Sequence, residues 1–249
     1  MLLALVAATT FHQSVGLSFR PRTEVSYRYR ITEATNDSNF STKLRFEATL
    51  QFTHPIDKTQ SQNGAWYTVR AALGEANVWM SFESMDVASF MDQVNSTRIL
   101  GSYSREGRVV GPFTLEEDIG PKYAFPYDEL TNFAFMNMIY PNKQVVNGTR
   151  WTAPVADEKI LHSSDLVFSD KATGTMKFRV TGIRREGGRT LIDVSSQIDR
   201  EVAQFSVPNG RHDRYRIVIE ASYVLDASDG LPTEATIQTN GARTTIVRE

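Results

Sequence analysis

The residue types that most often carry catalysis are present in this chain, but their spacing matches no catalytic motif. The HSSD sequence at 162–165 has the residue types of a hydrolytic triad. Adjacent strand residues point to opposite faces, however, and the G-x-S-x-G elbow is absent. The acidic run at 116–118 has the carboxylates of a glycosidase, yet it follows a turn-rich stretch and is interpreted as a solvated patch. We therefore expect no catalytic residues and no enzymatic activity.

Metal and cofactor sites are not indicated either. The chain has no cysteine, which excludes disulfides, thiolate nucleophiles and cysteine-bound metals. No two histidines have the H-x-x-x-H or H-E-x-x-H spacing of a ligand pair, and no glycine-rich phosphate loop occurs. We expect no metal, no cofactor and no nucleotide. The four histidines are His12, His54, His162 and His212.

Composition limits the remaining function classes. The 249 residues carry a formal net charge of -2, so the basic balance needed to hold a nucleic acid backbone is missing. The length allows one sizeable domain, which we place at residues 15–249. Nucleic acid is therefore not expected as a partner.

The elements that would position any site are β-strands. Four segments alternate apolar and polar residues with a period of two, which is typical of antiparallel strands with one solvated face. The sequence predicts an all-β domain, an antiparallel meander sheet curled into a half-open barrel or sandwich. The predicted buried positions are Val25, Tyr27, Tyr29 and Ile31; Leu44, Phe46, Ala48, Leu50 and Phe52; Met176, Phe178 and Val180; and Tyr215, Ile217, Ile219, Ala221, Tyr223 and Leu225.

Weaker patterns predict further strands, and turn residues separate them. Glycine-containing reversals at 105–108, 185–189 and 226–232 indicate short meander connections. The further strands are expected at 66–73, 77–82, 98–104, 108–110, 149–155, 159–167, 190–198 and 233–247.

One α-helix is predicted at about 127–140. The segment follows Pro126, starts with two acidic residues and ends before Pro141. Its apolar residues cover more than one stripe, so the helix needs contacts on most sides. It either packs against the concave side of the sheet or offers Phe133, Met136 and Met138 to a partner.

The first 14 residues form an apolar segment with two open interpretations. It has the apolar core of a secretory signal, but its first basic residue is Arg20, and it is too short to span a bilayer. It is either a signal-like start or an apolar peg in a partner or lipid surface. The expected contacts with membrane or partner are Leu2, Leu3, Leu5, Val6 and Phe11.

Four short motifs carry a family resemblance. They are Y-R-Y at 27–29, a G-x-V turn at 107–110, V-x-x-G-x-x-W at 145–151 and D-x-x-x-G-L-P at 226–232. Their order resembles a group of poorly characterised bacterial extracytoplasmic β-domains of unknown function. Such domains are similar in outline to the half-open barrels of periplasmic lipoprotein carriers. The resemblance implies export to the periplasm and no catalytic residues. The chain departs from lipoproteins in lacking a lipobox cysteine.

These observations lead to two hypotheses about function. The first is a non-enzymatic, peripherally membrane-associated accessory subunit that stabilises a membrane protein complex, whether respiratory, photosynthetic, secretory or transport. Its partners would be the complex subunits and, through the N-terminus, the membrane surface. The second is a carrier or sensor that binds a lipid or other apolar ligand inside the curled sheet, where aromatic residues either line a cavity or fill it.

Overall fold

The computed structural model describes residues 14–36, 41–55, 64–80, 92, 95, 98–110, 114–115, 138–155, 158–159, 169–206, 211–239 and 241–249. Its regular elements in these ranges are β-strands, apart from Asp92 and Asn95, which are helical. They are β1 Val15–Leu17, β2 Ser26–Asn36, β3 Ser41–Thr53, β4 Tyr67–Met80, β5 Arg98–Tyr103, β6 Thr114–Leu115, β7 Lys143–Val145, β8 Arg150–Pro154, β9 Glu158–Lys159, β10 Ser169–Glu186, β11 Arg189–Ser206, β12 Arg211–Asp226, β13 Pro232–Gln238 and β14 Ala242–Arg248.

One large antiparallel sheet dominates the molecule. Its strand order is β6-β5-β4-β3-β2-β14-β13-β12-β11-β10-β8, and β9 also pairs with β10. The sheet is not closed into a barrel, because its edge strands β6 and β8 do not pair with each other. A separate two-stranded ladder joins β1 to β7. The structure confirms the predicted all-β fold with a curled antiparallel sheet.

The middle of the sheet is made by strands from opposite parts of the chain. β14 pairs with β2 in antiparallel register, with Ile246 opposite Ile31. All the other pairs along the main order join strands that follow each other closely in sequence. The β2–β14 ladder therefore joins an N-terminal half, β2 to β6, to a C-terminal half, β8 to β13.

The predicted period-two patterns correspond to the inner, buried face of the sheet. Tyr29 and Ile31 of β2 are fully buried, and the predicted positions of β3 and β10 are buried as well. On β12 the described positions Ile219, Ala221, Tyr223 and Leu225 are buried. Val25 is the exception, because it lies before β2 begins and is 43% exposed.

Several of the weaker strand predictions have different bounds in the structure. The candidates at 66–73 and 77–82 belong to one strand, β4, which continues past a bulge opposite β3. The single strand predicted at 233–247 is in fact two strands, β13 and β14, which pair with each other. The Asn-Gly sequence at 240–241, which is typical of a two-residue hairpin turn, marks the break between these strands, and the prediction from alternation alone passed over it.

The N-terminal segment 14–25 packs against one end of the sheet. Phe19 contributes the central ring of an aromatic cluster on the inner face, with its centroid 5.4 Å from Tyr67, 5.4 Å from Tyr103 and 5.5 Å from Tyr140. Edge-to-face and tilted contacts of this kind stabilise buried aromatic residues. The inner face is thus filled by the chain's own side chains at this end.

The predicted helix at 127–140 lies outside the described residues except for its last three. Met138, Ile139 and Tyr140 are described, and they are not helical. None of the described residues belongs to a helix with the length and apolar character needed to span a bilayer.

Candidate functional site

A polar pair lies on the largely apolar inner face near the middle of the sheet. Glu33 of β2 and Thr244 of β14 are directly opposite each other in the ladder, and both are buried. The Thr244 hydroxyl donates a hydrogen bond to Glu33 Oε2 at 3.3 Å, and the Thr35 hydroxyl donates one to Oε1 at 3.4 Å. Burying a carboxyl is unfavourable without polar partners. The pair therefore places hydrogen-bonding groups among side chains that are mostly apolar.

Buried tyrosines add hydroxyl groups to the same face. Burial raises the pKa of Tyr29, Tyr103, Tyr140 and Tyr223 above the usual value of tyrosine. These phenols therefore stay neutral over the physiological pH range and act as hydrogen-bonding groups without charge. The Tyr140 hydroxyl donates to the carbonyl of Gly230 at 2.7 Å.

The turn between β12 and β13 contains a buried ion cluster. Arg248 of β14 donates to Asp229 Oδ2 at 2.9 Å and to Asp226 Oδ2 at 3.3 Å. The three side chains are at most 10% exposed. The other carboxylate oxygens accept backbone N–H groups of the turn, from Ser228 at 2.9 Å and from Leu231 at 2.8 Å. The cluster therefore fixes the turn to the end of β14.

The two carboxyls of this cluster respond differently to their surroundings. For Asp226, burial acts to raise the pKa, but hydrogen bonds from Ser228 and the charge of Arg248 outweigh it and lower the pKa. For Asp229, which is more deeply buried, burial dominates and raises the pKa despite the same guanidinium. Since both carboxylates and the arginine satisfy one another, we interpret the cluster as structural.

The same turn also holds the N-terminal segment in place. The N–H of Arg20 donates to the carbonyl of Asp229 at 2.8 Å. Gly230 has a φ of +77°, and an added Cβ would lie 2.2 Å from the carbonyl oxygen of Ser18. Glycine is needed both for the left-handed backbone and for the close approach.

A cavity of about 700 Å³ lies beside this turn. Arg22 and Arg189 contribute exposed guanidinium groups, and Tyr27 forms part of the wall. The Tyr27 hydroxyl accepts the N–H of Arg22 at 2.8 Å. The cavity is open and polar, and its buried charges belong to the ion cluster.

A smaller cavity of about 400 Å³ lies at the same end of the sheet. Trp66, which is 42% exposed, forms one wall, and the guanidinium of Arg105 lies 4.1 Å from its ring centroid. His54 stacks on Tyr67 with ring centroids 5.4 Å apart. Because its other lining residues are mainly polar, this pocket is suited to a small polar group.

The residues predicted to contact a partner or membrane are mostly outside the described residues. Of the helix positions, Phe133 and Met136 lie there, as do the apolar N-terminal positions. Met138 is described, and its side chain is 1% exposed within the core. The prediction of Met138 as a contact residue is therefore corrected, because its side chain packs inside the chain itself. The N-terminal positions are Leu2, Leu3, Leu5, Val6 and Phe11.

The candidate catalytic and metal-binding residues are also largely undescribed. The HSSD sequence at 162–165, the acidic run at 116–118 and His12 lie outside the described residues. Within the described part of the chain, no three His, Cys, Asp or Glu side chains lie close enough to hold a metal ion. His54, whose side chain is described there, contacts Tyr67 and the carbonyl of Trp66.

Two polar features of the structure are not predicted from the sequence. Glu33 continues the alternation of the buried positions Tyr29 and Ile31, so the sequence pattern already indicated that its side chain is buried. The Asp226–Asp229–Arg248 cluster gives a weaker signal, because the D-x-x-x-G-L-P turn is recognisable but its partner on β14 is distant in sequence.

Comparisons with known proteins give two distant structural neighbours. No family model and no curated protein matches the chain. One neighbour is a DUF1329 family protein from Desulfovibrio piger, with 8% identity, 90% of this chain and 83% of that chain covered, and a TM-score of 0.29. The other is a putative outer membrane lipoprotein-sorting protein domain from Vibrio parahaemolyticus, with 6% identity, 92% and 86% covered, and a TM-score of 0.24.

Because the identities and TM-scores are low, no residue role and no activity is carried over from either neighbour.

Proposed function

We propose that this chain is a non-enzymatic, extracytoplasmic binding protein that holds an apolar or amphiphilic molecule against the inner face of its open sheet. The observation that supports the proposal is the inner face itself, which is largely apolar and contains the buried Glu33–Thr244 pair. An apolar lining with few polar groups is the usual composition of a site for such ligands. The extracytoplasmic location is the one that the motif resemblance implies.

The chemistry of the polar pair limits the class of ligand that the inner face would bind. A carboxylate accepts hydrogen bonds, and the Thr244 hydroxyl can both donate and accept them. A ligand with an apolar body and a hydroxyl or amine head suits this arrangement, since its body replaces water on the apolar surface and its head contacts Glu33.

The first test is a search for a bound molecule and a titration with a defined probe. Native mass spectrometry of the purified full chain should show a co-purifying apolar molecule. After delipidation, a fluorescent long-chain amine should bind. Glu33→Gln should weaken that binding by about tenfold, through loss of a charge-assisted contact.

Glu47→Gln provides the matched control. Glu47 lies on β3, a neighbour of β2, but it faces outward and is partly exposed. Its replacement should leave probe affinity unchanged, and circular dichroism should show that both variants are folded. If the probe does not bind the wild type, or if the two variants behave alike, the proposal is wrong.

Docking on a membrane protein complex as an accessory subunit stays a prediction. The residues expected to make that contact lie outside the described residues, apart from Met138, which is in the core. Pull-down of the full chain with and without residues 1–11 from solubilised membranes would test it, and equal recovery of partner subunits would contradict the role of the peg.

A further inference from the structure

The smaller cavity, of about 400 Å³, has two guanidinium groups in its wall. They belong to Arg20 and Arg105, which are both exposed. No carboxylate of the described residues forms an ion pair with either guanidinium. We call this cavity the Trp66 pocket, and the side chains that determine its chemistry are Arg20, Trp66, Tyr67, Arg105, Glu106 and Asn142.

The guanidinium of Arg105 is positioned by the indole ring of Trp66. It lies 4.1 Å from the ring centroid, which is the geometry of a cation–π contact. A guanidinium in this position can still use its N–H groups, which bind the oxygens of a carboxylate or phosphate in pairs. Trp66 therefore limits the positions of Arg105 without occupying its hydrogen-bond donors.

The turn that carries Arg105 is attached to the segment before β7. The N–H of Tyr140 donates to the carbonyl of Glu106 at 2.8 Å, and Tyr140 is buried. The side-chain amide of Asn142 donates to the carbonyl of Arg105 at 3.5 Å. The backbone of this wall is thus held in place, and an ordered wall reduces the entropy that a ligand would lose on binding.

Arg20 reaches the pocket from the N-terminal segment 14–25. Its own N–H donates to the carbonyl of Asp229 at 2.8 Å. The preceding residue, Phe19, is buried in the aromatic cluster of the inner face. The backbone at Arg20 is therefore fixed from two directions, although its side chain is exposed.

Tyr67 adds a neutral donor between the two cations. Burial raises the pKa of Tyr67, while a hydrogen bond with the Trp66 side chain and the charges of Arg105 and Arg20 act to lower it. The phenol stays protonated at neutral pH, so its hydroxyl can donate to an anion. The influence of both arginines on Tyr67 also indicates that the two guanidinium groups face the same space.

One carboxylate lines the same pocket. Glu106 Oε2 accepts a hydrogen bond from the Ser104 hydroxyl at 2.8 Å. Two guanidinium charges and one carboxylate charge leave these pocket residues with a formal charge of +1. An anion is therefore attracted by the pocket as a whole, and Glu106 weakens that attraction.

We propose that the Trp66 pocket binds a small organic dianion, a phosphate monoester or a dicarboxylate. Two arginines on separate walls can each pair with oxygens of such a ligand. A cavity of about 400 Å³ is in the size range of small-molecule sites, so it has room for an organic group beside the charged one. Phe19 and Tyr67 supply aromatic surface for that group.

This site is separate from the proposed ligand site at Glu33. Glu33 is opposite Leu44 of β3, whereas Tyr67 lies beside the other end of β3, at Thr53. The two levels are roughly 30 Å apart along β3. Binding of the fluorescent amine should be unchanged in variants of the Trp66 pocket, so failure of one proposal leaves the other intact.

The test is isothermal titration calorimetry of the full chain with three defined probes. Methyl phosphate and succinate represent the two classes of dianion, and trimethyl phosphate is an uncharged control. At least one dianion should bind with a stoichiometry of one, more weakly as salt rises, and the tighter of the two identifies the ligand class. Arg20→Gln and Arg105→Gln should each weaken that binding at least about tenfold, through loss of a charge-assisted contact.

Two further variants distinguish a built site from general charge attraction. Arg22→Gln removes an exposed arginine two residues from Arg20, in the wall of the larger cavity, and should change affinity less than about twofold. Glu106→Gln should tighten binding by about threefold, a gain that a folding defect cannot produce. Equal losses in Arg20→Gln and Arg22→Gln, weaker binding in Glu106→Gln, equal binding of trimethyl phosphate, or no binding of either dianion would overturn the proposal.

Discussion

At the scale of single residues, the buried ion cluster makes Arg248 the most consequential charged side chain in the described structure. Arg248 is the cation that contacts both Asp226 and Asp229. Arg248→Met should lower the free energy of unfolding by about 3–5 kcal/mol, because two buried carboxylates lose their partner. Chemical denaturation followed by circular dichroism measures the loss.

The control for this prediction is an ion pair at the surface. Arg30→Met breaks the pair with Glu249, where Arg30 is 45% exposed, and should cost less than about 1 kcal/mol. In Arg248→Met, the pKa values of both aspartates should rise above those of the unfolded chain. Their ionised forms then oppose folding, so the deficit should shrink as the pH falls from about 7 toward about 4. A deficit that is constant with pH would contradict the electrostatic origin.

At the scale of elements, the turn between β12 and β13 and the segment 14–25 depend on each other. Gly230→Ala would place a methyl group 2.2 Å from the Ser18 carbonyl oxygen and would force alanine into a φ of +77°. We expect a loss of roughly 2–4 kcal/mol, from backbone strain and from displacement of segment 14–25. Hydrogen exchange at Phe19 and Arg20 should accelerate first.

A second glycine allows the effect of backbone strain to be measured apart from the displacement of segment 14–25. Gly187 also has a positive φ, +56°, but nothing lies within 4 Å of the position that an added methyl group would take. Gly187→Ala should therefore lose only about 1 kcal/mol and leave exchange in segment 14–25 unchanged. Equal effects of the two substitutions would show that the close approach at Ser18 does not matter.

The elements also show what the sequence could predict. Strands with one buried face, such as β3, are predictable because alternation records burial directly at each residue. The pairing of β2 with β14 is not predictable, since their residues are separated by almost the whole chain and no local pattern marks the partner. The break between β13 and β14 is predictable in principle, because the Asn-Gly sequence at 240–241 is typical of a tight turn between two alternating strands, but the prediction used alternation alone.

The candidate site is less predictable than the fold. The apolar inner face follows from alternation, whereas the Glu33–Thr244 pair requires the register of β2 against β14. A site whose residues come from two strands that are distant in sequence can be identified only from the tertiary structure.

At the scale of the whole molecule, the sheet is one continuous structure whose halves meet only at the β2–β14 ladder along the main strand order. A ladder formed by distant parts of the chain closes a very long loop, so it should form late in folding. The proposed ligand site uses residues from each side of this ladder, Glu33 of β2 and Thr244 of β14. A substitution that weakens the pairing of β14 with β2 should therefore reduce both ligand binding and the free energy of unfolding.

This dependence can be tested with two neighbouring residues of β14 that face opposite sides. Ile246 is fully buried opposite Ile31, whereas Val247 is 38% exposed. Ile246→Ala should lower the free energy of unfolding by about 2–4 kcal/mol, and Val247→Ala by less than about 1 kcal/mol. Because the ladder joins the halves, Ile246→Ala should speed amide hydrogen exchange in β4 and in β10 alike. Faster exchange confined to β2, β13 and β14 would mean that each half is stable by itself, and the sheet would then have to be treated as two units with separate folding and separate binding faces.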